Sequence, residues 1–527
     1  MAVNFEYDYI IIGSGFGGSV SALRLSQKGY KVLVIEKGKW FKDVHMFPKS
    51  NWNLKKWLWY PRIGWNGILN ITIMRHLIAL SGVGVGGGSL VYANTLPVPK
   101  SPFFKSGSWS KLMDWEKVLM PYYAIAKQML GSNVNPHQSV SDDVMQALAT
   151  RLGSEHAFAR TEVAVHFGSK ESKINTNDQN TDAPAMNPCC LCGGCMLGCR
   201  YNSKNTLDKN YLYQAQKLGV EILAENLVTN VEPISSEHTH GYKVTTKTVT
   251  GLSKSRKKFT SKGVIFSGGV LGTIPLLLKL KKSTLPKISD MIGSGIRSNS
   301  ENLIGVTSFE KDADFTKGIA IGSIVTVDES RHVEPVRFPA GSGFWRIFMA
   351  PMTSGSTLIM RIFNILKDLI IHPISNAKAF FIDDWSKKTI ILLYMESIES
   401  TLKVQWSKYF GLSSRSEKGR PPTAFNPIAK DVAKKVEAIV NGKAMVLISE
   451  SLFGIPTTAH ILGGACMGKD HSEGVIDAQC NVFGYENMKI CDGSFISANI
   501  GVNPSLTITA ITEYAMSKVP NKSDLTH

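Results

Sequence analysis

The glycine-rich turn at residues 13–18 constrains the fold of this chain more than any other feature. Its sequence, Gly13-Ser14-Gly15-Phe16-Gly17-Gly18, contains the pattern G-x-G-x-x-G. The turn directly follows the apolar run Tyr7–Ile12, which predicts a strand, and directly precedes a stretch at 19–28 that predicts a helix. The run KVLVI at 31–35 predicts a second strand. The sequence therefore predicts that the chain opens with a βαβ unit.

This βαβ unit is typical of dinucleotide binding. Gly13 and Gly15 allow a tight turn and the close approach of a pyrophosphate to backbone N–H groups, and Gly18 allows close packing of the helix. Glu36 ends the second strand 23 residues after Gly13, where an acid accepts hydrogen bonds from ribose hydroxyls and argues against a 2′-phosphate. A plain glycine turn with a surface Glu is the alternative. The pattern does not distinguish NAD from FAD.

Composition limits the class of protein. The 527 residues amount to three to four domains at about 150 residues each, and 43% apolar against 19% charged residues indicates a large core instead of disorder or a coiled coil. The formal net charge of +17 suits nucleic acid, an acidic membrane or an acidic partner. Because no nucleic-acid-binding motif accompanies the charge, we expect no nucleic-acid partner.

Segments far from the first turn complete the pattern. SGVGVGGGSLVYANT at 81–95 is a candidate cofactor loop, since its glycines let the backbone approach a flat or charged group. Near the C-terminus stand HILGG at 460–464, CDGSF at 491–495 and GVNPS at 501–505. Together these segments resemble the glucose–methanol–choline (GMC) family of flavin-dependent alcohol oxidoreductases, and most of all its cholesterol-oxidase-like branch.

The resemblance implies FAD as the cofactor and oxidation of a CH–OH group. His460 would be the hydrogen-bond partner and base for the substrate hydroxyl, Asn503 would hold the alcohol oxygen, and hydride would pass to flavin N5. Asn503-Pro504 also predicts an N-cap, which would aim the positive end of the following helix at the pocket. A structural histidine and a simple cap are the alternatives. The predicted cofactor-binding residues are Gly13, Gly15, Gly17, Gly18, Glu36, Gly87, Gly88, Ser89, Tyr92, Ala93, Val228, Asp492, Gly493, Asn503, Pro504 and Ser505.

The chain departs from the family pattern at several points. Ile461 follows the histidine where the family usually has Pro, and Tyr92 stands where the family has another residue. Glu334, in HVEPVRFPAG, lies where steroid-oxidising members have an acid that shifts a double bond, so the resemblance implies a third catalytic residue. A solvated Glu at a strand edge is the alternative, and neighbouring His332 has no assigned role.

Five of the eight cysteines lie between residues 189 and 199. Cys189, Cys192, Cys195 and Cys199 have the spacing C-x2-C-x2-C-x3-C, which matches the bacterial ferredoxin run except that Arg200 replaces the usual Pro. The spacing favours an iron–sulfur cluster over a zinc ion, and a loop of metal-free thiols is the third reading. A cluster would make the protein a dehydrogenase that passes electrons to a quinone or protein instead of to oxygen.

The predicted fold class is α/β. We expect a Rossmann-type FAD-binding domain from residues 1–310 and 455–527, with the cysteine loop 186–200 inserted in its first part. Between them, strand-like and helical patterns at 311–454 predict an α+β substrate-binding domain with a mostly antiparallel sheet.

The predicted function is oxidation of a hydrophobic, sterol-like alcohol. Glu6 and Asp8 precede the first apolar run, unlike a signal peptide, so we expect a cytoplasmic protein, and no stretch suits a membrane-spanning helix. The segment TLIMRIFNILKDLIIH at 357–372 has a wide apolar face, for which we weigh core packing against peripheral contact with a membrane.

Overall fold

A computed structural model describes residues 4–168, 184–235, 241–251, 255–407, 411–419 and 422–525. Two seven-stranded sheets organise these residues, and helices pack on both. The predicted α/β fold class is confirmed.

The first sheet contains the predicted βαβ unit. Its strand order is Glu221–Leu223, Val32–Ile35, Tyr7–Ile12, Arg256–Phe266, Tyr242–Thr248 and Asn226–Pro233, and Met488–Ile490 also pairs with Arg256–Phe266. The strands around Tyr7–Ile12 are parallel, which brings the carboxyl ends of Tyr7–Ile12, Val32–Ile35 and Arg256–Phe266 to one edge. The first helix is Phe16–Gln27, so it begins inside the glycine turn, three residues before the predicted start.

The second sheet is antiparallel throughout. Its order is Met349–Pro351, Gly442–Leu447, Asn302–Ser308, Thr389–Glu396, Arg331–Val336, Ser323–Asp328 and Phe158–Arg160. Two of these strands, Asn302–Ser308 and Phe158–Arg160, come from chain before residue 311. The domain boundaries at 310 and 454 stay a prediction.

The two faces of the second sheet contact different parts of the molecule, because successive side chains along a strand point to opposite faces. In Thr389–Glu396, Ile390 and Leu392 pack with the helices Val140–Arg151 and Pro427–Val440 in one apolar cluster. Ile391 and Leu393 point the other way, into a second cluster and toward the first sheet. One face of the sheet therefore builds a core, and the other lines a cavity.

The helices and minor sheets complete the fold. The remaining α-helices are Leu54–Trp57, Ser101–Phe104, Trp115–Leu130, Tyr211–Lys217, Val270–Lys281, Leu358–Ile371, Pro373–Phe381, Trp385–Lys388, Ile448–Ser451 and Ser505–Ser517. Smaller sheets pair Leu69–Ile73 with Ile78–Gly82 and Thr457–Thr458, Trp59–Tyr60 with Trp65–Asn66, Asn133–Val134 with Glu162–Val163, and Thr401–Ser407 with Gly411–Lys418. Among the described residues, none of the helices combines the length and apolar character needed to cross a bilayer.

Candidate active site

A cavity of about 590 Å³ lies between the two sheets. Its polar end is formed by the glycine turns at the carboxyl edge of the first sheet, and its apolar end by the second sheet. Most of the predicted cofactor and catalytic residues line it, namely Gly13, Gly15, Gly17, Glu36, Gly87, Gly88, Tyr92, Ala93, Val228, His460, Asp492, Gly493, Asn503, Pro504 and Ser505. Gly18, Ser89 and Glu334 are not among the lining residues.

The glycines of the polar end have two distinct roles. A Cβ atom at Gly13 would lie 2.3 Å from the carbonyl oxygen of Ser267, and one at Gly18 would lie 2.0 Å from that of Gly13, so these glycines allow strand, turn and helix to touch. At Gly15, Gly269 and Gly272, by contrast, a Cβ would meet nothing within 4 Å. These three positions leave open a backbone-lined trough that a side chain would fill, and this trough suits the pyrophosphate of a dinucleotide.

Glu36 is fixed at the end of its strand. Its carboxylate accepts hydrogen bonds from the Ser14 backbone N–H at 3.1 Å, the Ser14 hydroxyl at 2.8 Å and the Gly38 N–H at 2.9 Å. These bonds hold the acid at the cavity wall. Glu36 lines the cavity, so its carboxylate can also accept hydrogen bonds from ribose hydroxyls of a bound dinucleotide.

Asp492 connects the C-terminal segment to the glycine turn at 268–269. Its carboxylate accepts from the Gly269 N–H at 2.9 Å, the Thr273 hydroxyl at 2.5 Å and the Ser494 N–H at 2.8 Å. Burial raises the pKa of this carboxyl, although the three donors oppose the shift. Asp492 thus holds the start of the Val270–Lys281 helix against the C-terminal segment.

His460 is paired with a carboxylate that the sequence motifs do not include. Its Nδ1 lies 2.6 Å from Glu301 Oε1, and the same carboxylate accepts from the Thr458 hydroxyl at 3.0 Å and the Ala459 N–H at 2.8 Å. Burial lowers the pKa of His460, but the charge and hydrogen bond of Glu301, followed by the charge of Glu334, leave it raised overall. Because Nδ1 is engaged, Nε2 is the nitrogen available to a ligand in the cavity.

Asn503 connects the cavity to two buried groups behind it. Its Nδ2 donates to Glu334 at 3.3 Å, while its Oδ1 is buried without a hydrogen-bond partner among the described residues. Burial raises the pKa of Glu334 to about 7 and lowers the pKa of His332 to about 3. His332 Nε2 lies 3.9 Å from Glu334 and makes no hydrogen bond in the described part of the chain.

The prediction that Asn503 caps the C-terminal helix is wrong. Pro504 occupies the cap position of the Ser505–Ser517 helix, and no side chain makes a capping hydrogen bond there. Since the helix starts one residue later than a cap at Asn503 requires, the amide is left to face Glu334 and the cavity.

The apolar end of the cavity comes mainly from the second sheet. Side chains on the inward face of its strands line it, together with aromatic and aliphatic residues from the connecting segments. They are Trp57, Leu69, Leu80, Met196, Leu303, Ile321, Val336, Phe338, Trp345, Met349, Ile391, Leu393 and Leu447. Without charged side chains, this end suits a hydrophobic ligand.

Ser89 and Lys204 position the second glycine loop. The Ser89 hydroxyl donates to Gly86 O at 2.7 Å and accepts from the Leu207 N–H at 3.1 Å, so it supports the loop from behind. The Lys204 ammonium donates to the carbonyls of Leu90 at 3.2 Å, Tyr92 at 2.8 Å and Cys195 at 2.9 Å. Burial lowers the pKa of Lys204 to about 7. Lys204 thereby ties the cavity wall to the cysteine loop.

The predicted metal ligands surround a separate cavity of about 80 Å³. Cys189, Cys192, Cys195 and Cys199 are half-buried there, and Cys190 is exposed. In the part of the chain that is described, no three Cys, His, Asp or Glu side chains are arranged to hold a metal ion. Metal binding by this loop stays a prediction.

Sequence reasoning missed Glu301 and Lys204. Glu301 lies 159 residues from His460 and outside every recognised motif. Lys204 stands in a polar stretch, NSKNTLDK, where a lysine ordinarily faces solvent, and yet its side chain is 1% exposed.

Comparison with known sequences gives a consistent result. Two models of the GMC oxidoreductase family match this chain, over residues 7–298 and 422–512. A cholesterol oxidase from Acinetobacter baumannii is 40% identical over 534 residues, which cover 99% of this chain and 96% of that protein. A cholesterol oxidase from Mycobacterium tuberculosis is 38% identical over 541 residues, which cover 98% of this chain and 92% of that protein. A long-chain-alcohol oxidase from Arabidopsis thaliana is 25% identical over 97% of this chain and 67% of its own length.

Solved structures share the fold. Pyridoxine 4-oxidase from Mesorbium loti superposes with a TM-score of 0.62 at 13% identity, over 97% of this chain and 99% of that one. An FAD-dependent oxidoreductase from Chaetomium thermophilum superposes with a TM-score of 0.58 at 14% identity, over 97% of this chain and 98% of that one. At these identities the likeness concerns the architecture alone.

Proposed function

Because this chain belongs to the GMC oxidoreductase family, whose members are FAD-dependent enzymes acting on CH–OH donors, we propose that it oxidises a hydrophobic, sterol-like alcohol. The observation that carries the proposal is the pairing of His460 with Glu301 in a cavity whose far end is entirely apolar. The 40% identity to a cholesterol oxidase supports a sterol.

FAD, held by the Gly13–Gly18 turn, Glu36 and the 87–93 loop, would supply the hydride acceptor. Glu301 keeps the His460 Nδ1 proton in place, so the neutral imidazole presents an unprotonated Nε2 that accepts the alcohol proton. Asn503 has a second Nδ2 hydrogen with which to hold the alcohol oxygen. The alcohol loses one hydride and one proton and becomes a carbonyl compound.

Glu334 is the proposed third participant. With a pKa raised to about 7 by burial, its carboxyl group holds a proton at mildly acidic pH and can release it near neutrality. Such a group suits a proton shift in an unsaturated product. The Asn503 amide donates a hydrogen bond to Glu334, so this carboxyl group would also orient the amide that holds the substrate.

Oxygen is the proposed electron acceptor, since the similar proteins at 38–40% identity are oxidases. It would leave as hydrogen peroxide after taking two electrons and two protons. A quinone or a protein is the second candidate acceptor, and the ferredoxin-like spacing of the cysteines at 189–199 is the observation that favours it.

Peripheral contact with a membrane is part of the proposal. The Leu358–Ile371 helix has no buried residue, and Ile347 and Phe348, which lie between the cavity residues Trp345 and Met349, are 51% and 41% exposed. An apolar surface therefore continues from the helix to the cavity wall. A lipid-dissolved alcohol could pass along it.

The proposal is tested by anaerobic mixing of the FAD-loaded protein with candidate alcohols. Cholesterol and long-chain alcohols should bleach the flavin absorbance near 450 nm, and sugars should not. His460→Ala should slow bleaching about 100-fold or more, given what a general base contributes. The exposed His156→Ala serves as the control. Bleaching at full rate by the His460 variant would refute the assigned base, and no bleaching by any hydrophobic alcohol would refute the substrate class.

A further inference from the structure

We infer that His332 is a proton relay, which connects the buried Glu334 with water in a second cavity of the molecule. The inference deepens the proposed function, because it rests on Glu334 taking up and releasing a proton, and it gives His332 a role of its own. Three observations support it: the position of the second cavity, the strand that leads from one cavity to the other, and the surroundings of the His332 ring.

The second cavity is polar and reaches the surface. Its volume is about 610 Å³, similar to that of the cofactor cavity, with which it shares no lining residue. Charged side chains of both signs line it, among them Lys100, Arg331, Glu329, Glu399 and Glu473. The three glutamates are exposed to solvent. A space of this size with so many charged groups can hold water, so solvent can reach the groups in its wall.

One strand of the second sheet runs from the second cavity to the cofactor cavity. Along Arg331–Val336, the side chains of His332, Glu334 and Val336 point to the same face, because side chains alternate. His332 lines the second cavity and Val336 lines the cofactor cavity. Glu334 lies between them and is 1% exposed. The strand therefore places two titratable groups side by side in the wall between the cavities.

The C-terminal segment forms the rest of this wall. Val502 lines the second cavity, and the next residue, Asn503, lines the cofactor cavity. The Asn503 amide donates to Glu334 at 3.3 Å. The wall is thus thin at this point, and the row formed by Asn503, Glu334 and His332 crosses it from one cavity to the other.

The surroundings of the His332 ring suit proton transfer. Its Nε2 lies 3.9 Å from Glu334 Oε1 and is buried without a hydrogen-bond partner among the described residues. The side chain is 8% exposed, and this exposure belongs to atoms other than Nε2. Burial, followed by the charges of Lys100 and His460, lowers the pKa of His332 to about 3, so the ring is neutral. A neutral imidazole with Nε2 toward an acid has Nδ1 left for water in the second cavity.

The proposed transfer needs no further reactant. The Glu334 carboxyl gives its proton to Nε2 of His332 while the Nδ1–H gives one to a water molecule. The products are a carboxylate, a neutral ring in its other tautomer and a hydronium ion, and the reverse path reprotonates the acid. A movement of about 1 Å shortens the 3.9 Å separation to hydrogen-bond length. Since burial raises the pKa of Glu334 to about 7, both of its protonation states are populated near neutral pH.

The test measures how fast Glu334 of the FAD-loaded protein exchanges its proton for deuterium. At about pH 6 most of this carboxyl is protonated. The protein is mixed rapidly with D2O, and infrared spectroscopy follows the C=O stretching band that is missing in Glu334→Gln. We expect His332→Ala to slow the exchange at least about tenfold. His332→Gln, which keeps much of the side chain's volume but does not titrate, should be equally slow. Glu329→Gln, in the wall of the same cavity, is the matched control and should exchange at the original rate.

Added imidazole distinguishes a relay from a structural role. In His332→Ala it can enter from the second cavity and should restore the exchange, at a rate that depends on the pKa of the imidazole derivative used, as proton transfer does. Full-rate exchange in both His332 variants would overturn the inference. Slow exchange that imidazole does not restore, or restores equally whatever its pKa, would overturn it as well. Because no substrate is present, failure here is distinguishable from failure of the proposed alcohol oxidation, which the bleaching experiment reads separately.

Discussion

His460 takes its chemical character from one neighbouring carboxylate. The Glu301 carboxylate accepts hydrogen bonds from the Nδ1–H of His460, the Ala459 N–H and the Thr458 hydroxyl. A single acid therefore fixes both the imidazole and the loop that carries it. This arrangement assigns Glu301 a positioning role: it selects which nitrogen faces the cavity and raises the pKa of the ring.

Replacing Glu301 with Gln should therefore shift the pH dependence of turnover. Without the carboxylate charge the pKa of His460 falls, and since the neutral ring is the base, the acidic limb of kcat/KM should move to lower pH. We expect the plateau rate to drop about tenfold or more, because the amide no longer demands the correct tautomer. Steady-state kinetics from pH 5 to 9 measures both effects. Exposed Glu155→Gln is the control, and an unmoved acidic limb would contradict this role.

At the scale of elements, the Leu358–Ile371 helix is unusual because none of its residues is buried against the part of the chain that the structure describes. A single stripe of side chains is 42–79% exposed, formed by Ile359, Ile362, Phe363, Leu366 and Ile370. Exposed Lys367 and Lys378 lie nearby, while Asp368 is bonded to Lys443 and Asn376. The surface is therefore apolar with a basic border, which matches an anionic lipid surface.

The double variant Ile359→Glu, Ile370→Glu should bind vesicles of phosphatidylcholine and phosphatidylserine at least about tenfold more weakly, because two largely exposed isoleucines no longer enter the lipid. Turnover of a detergent-dissolved alcohol should stay unchanged. Sedimentation with vesicles measures the first quantity. Leu218→Glu, on another exposed surface, is the matched control. Equal binding by all three proteins would show that this helix is not the contact surface.

At the scale of the whole molecule, the cavity depends on both sheets. The glycine turns of the first sheet and the inward face of the second meet around one space, and the C-terminal segment carrying Asp492 and Asn503 closes it. A ligand in this cavity therefore contacts chain from both ends of the sequence. Its binding should stabilise the fold as a unit.

Adding FAD to the cofactor-free protein should accordingly raise Tm by several degrees, since ligand at 100 times its Kd adds about 2.7 kcal/mol. Glu36→Ala should lose much of this gain, because the ribose hydroxyls lose their acceptor. Differential scanning calorimetry at several FAD concentrations provides the measurement. A Tm independent of FAD concentration would contradict the assignment of the cavity to the cofactor.

The sequence alone determined the βαβ opening, the glycine turns and the family, because these depend on neighbours in the chain: apolar periodicity, glycine at tight turns, and an acid at a strand end. It could not distinguish a core helix from the exposed Leu358–Ile371 helix, since both show the same apolar period. Tertiary structure decided which groups meet. Glu301 reaches His460 across 159 residues, and Asn503 reaches Glu334 across 169, because two packed sheets bring remote strand ends together. Such pairings follow from packing, and no local pattern encodes them.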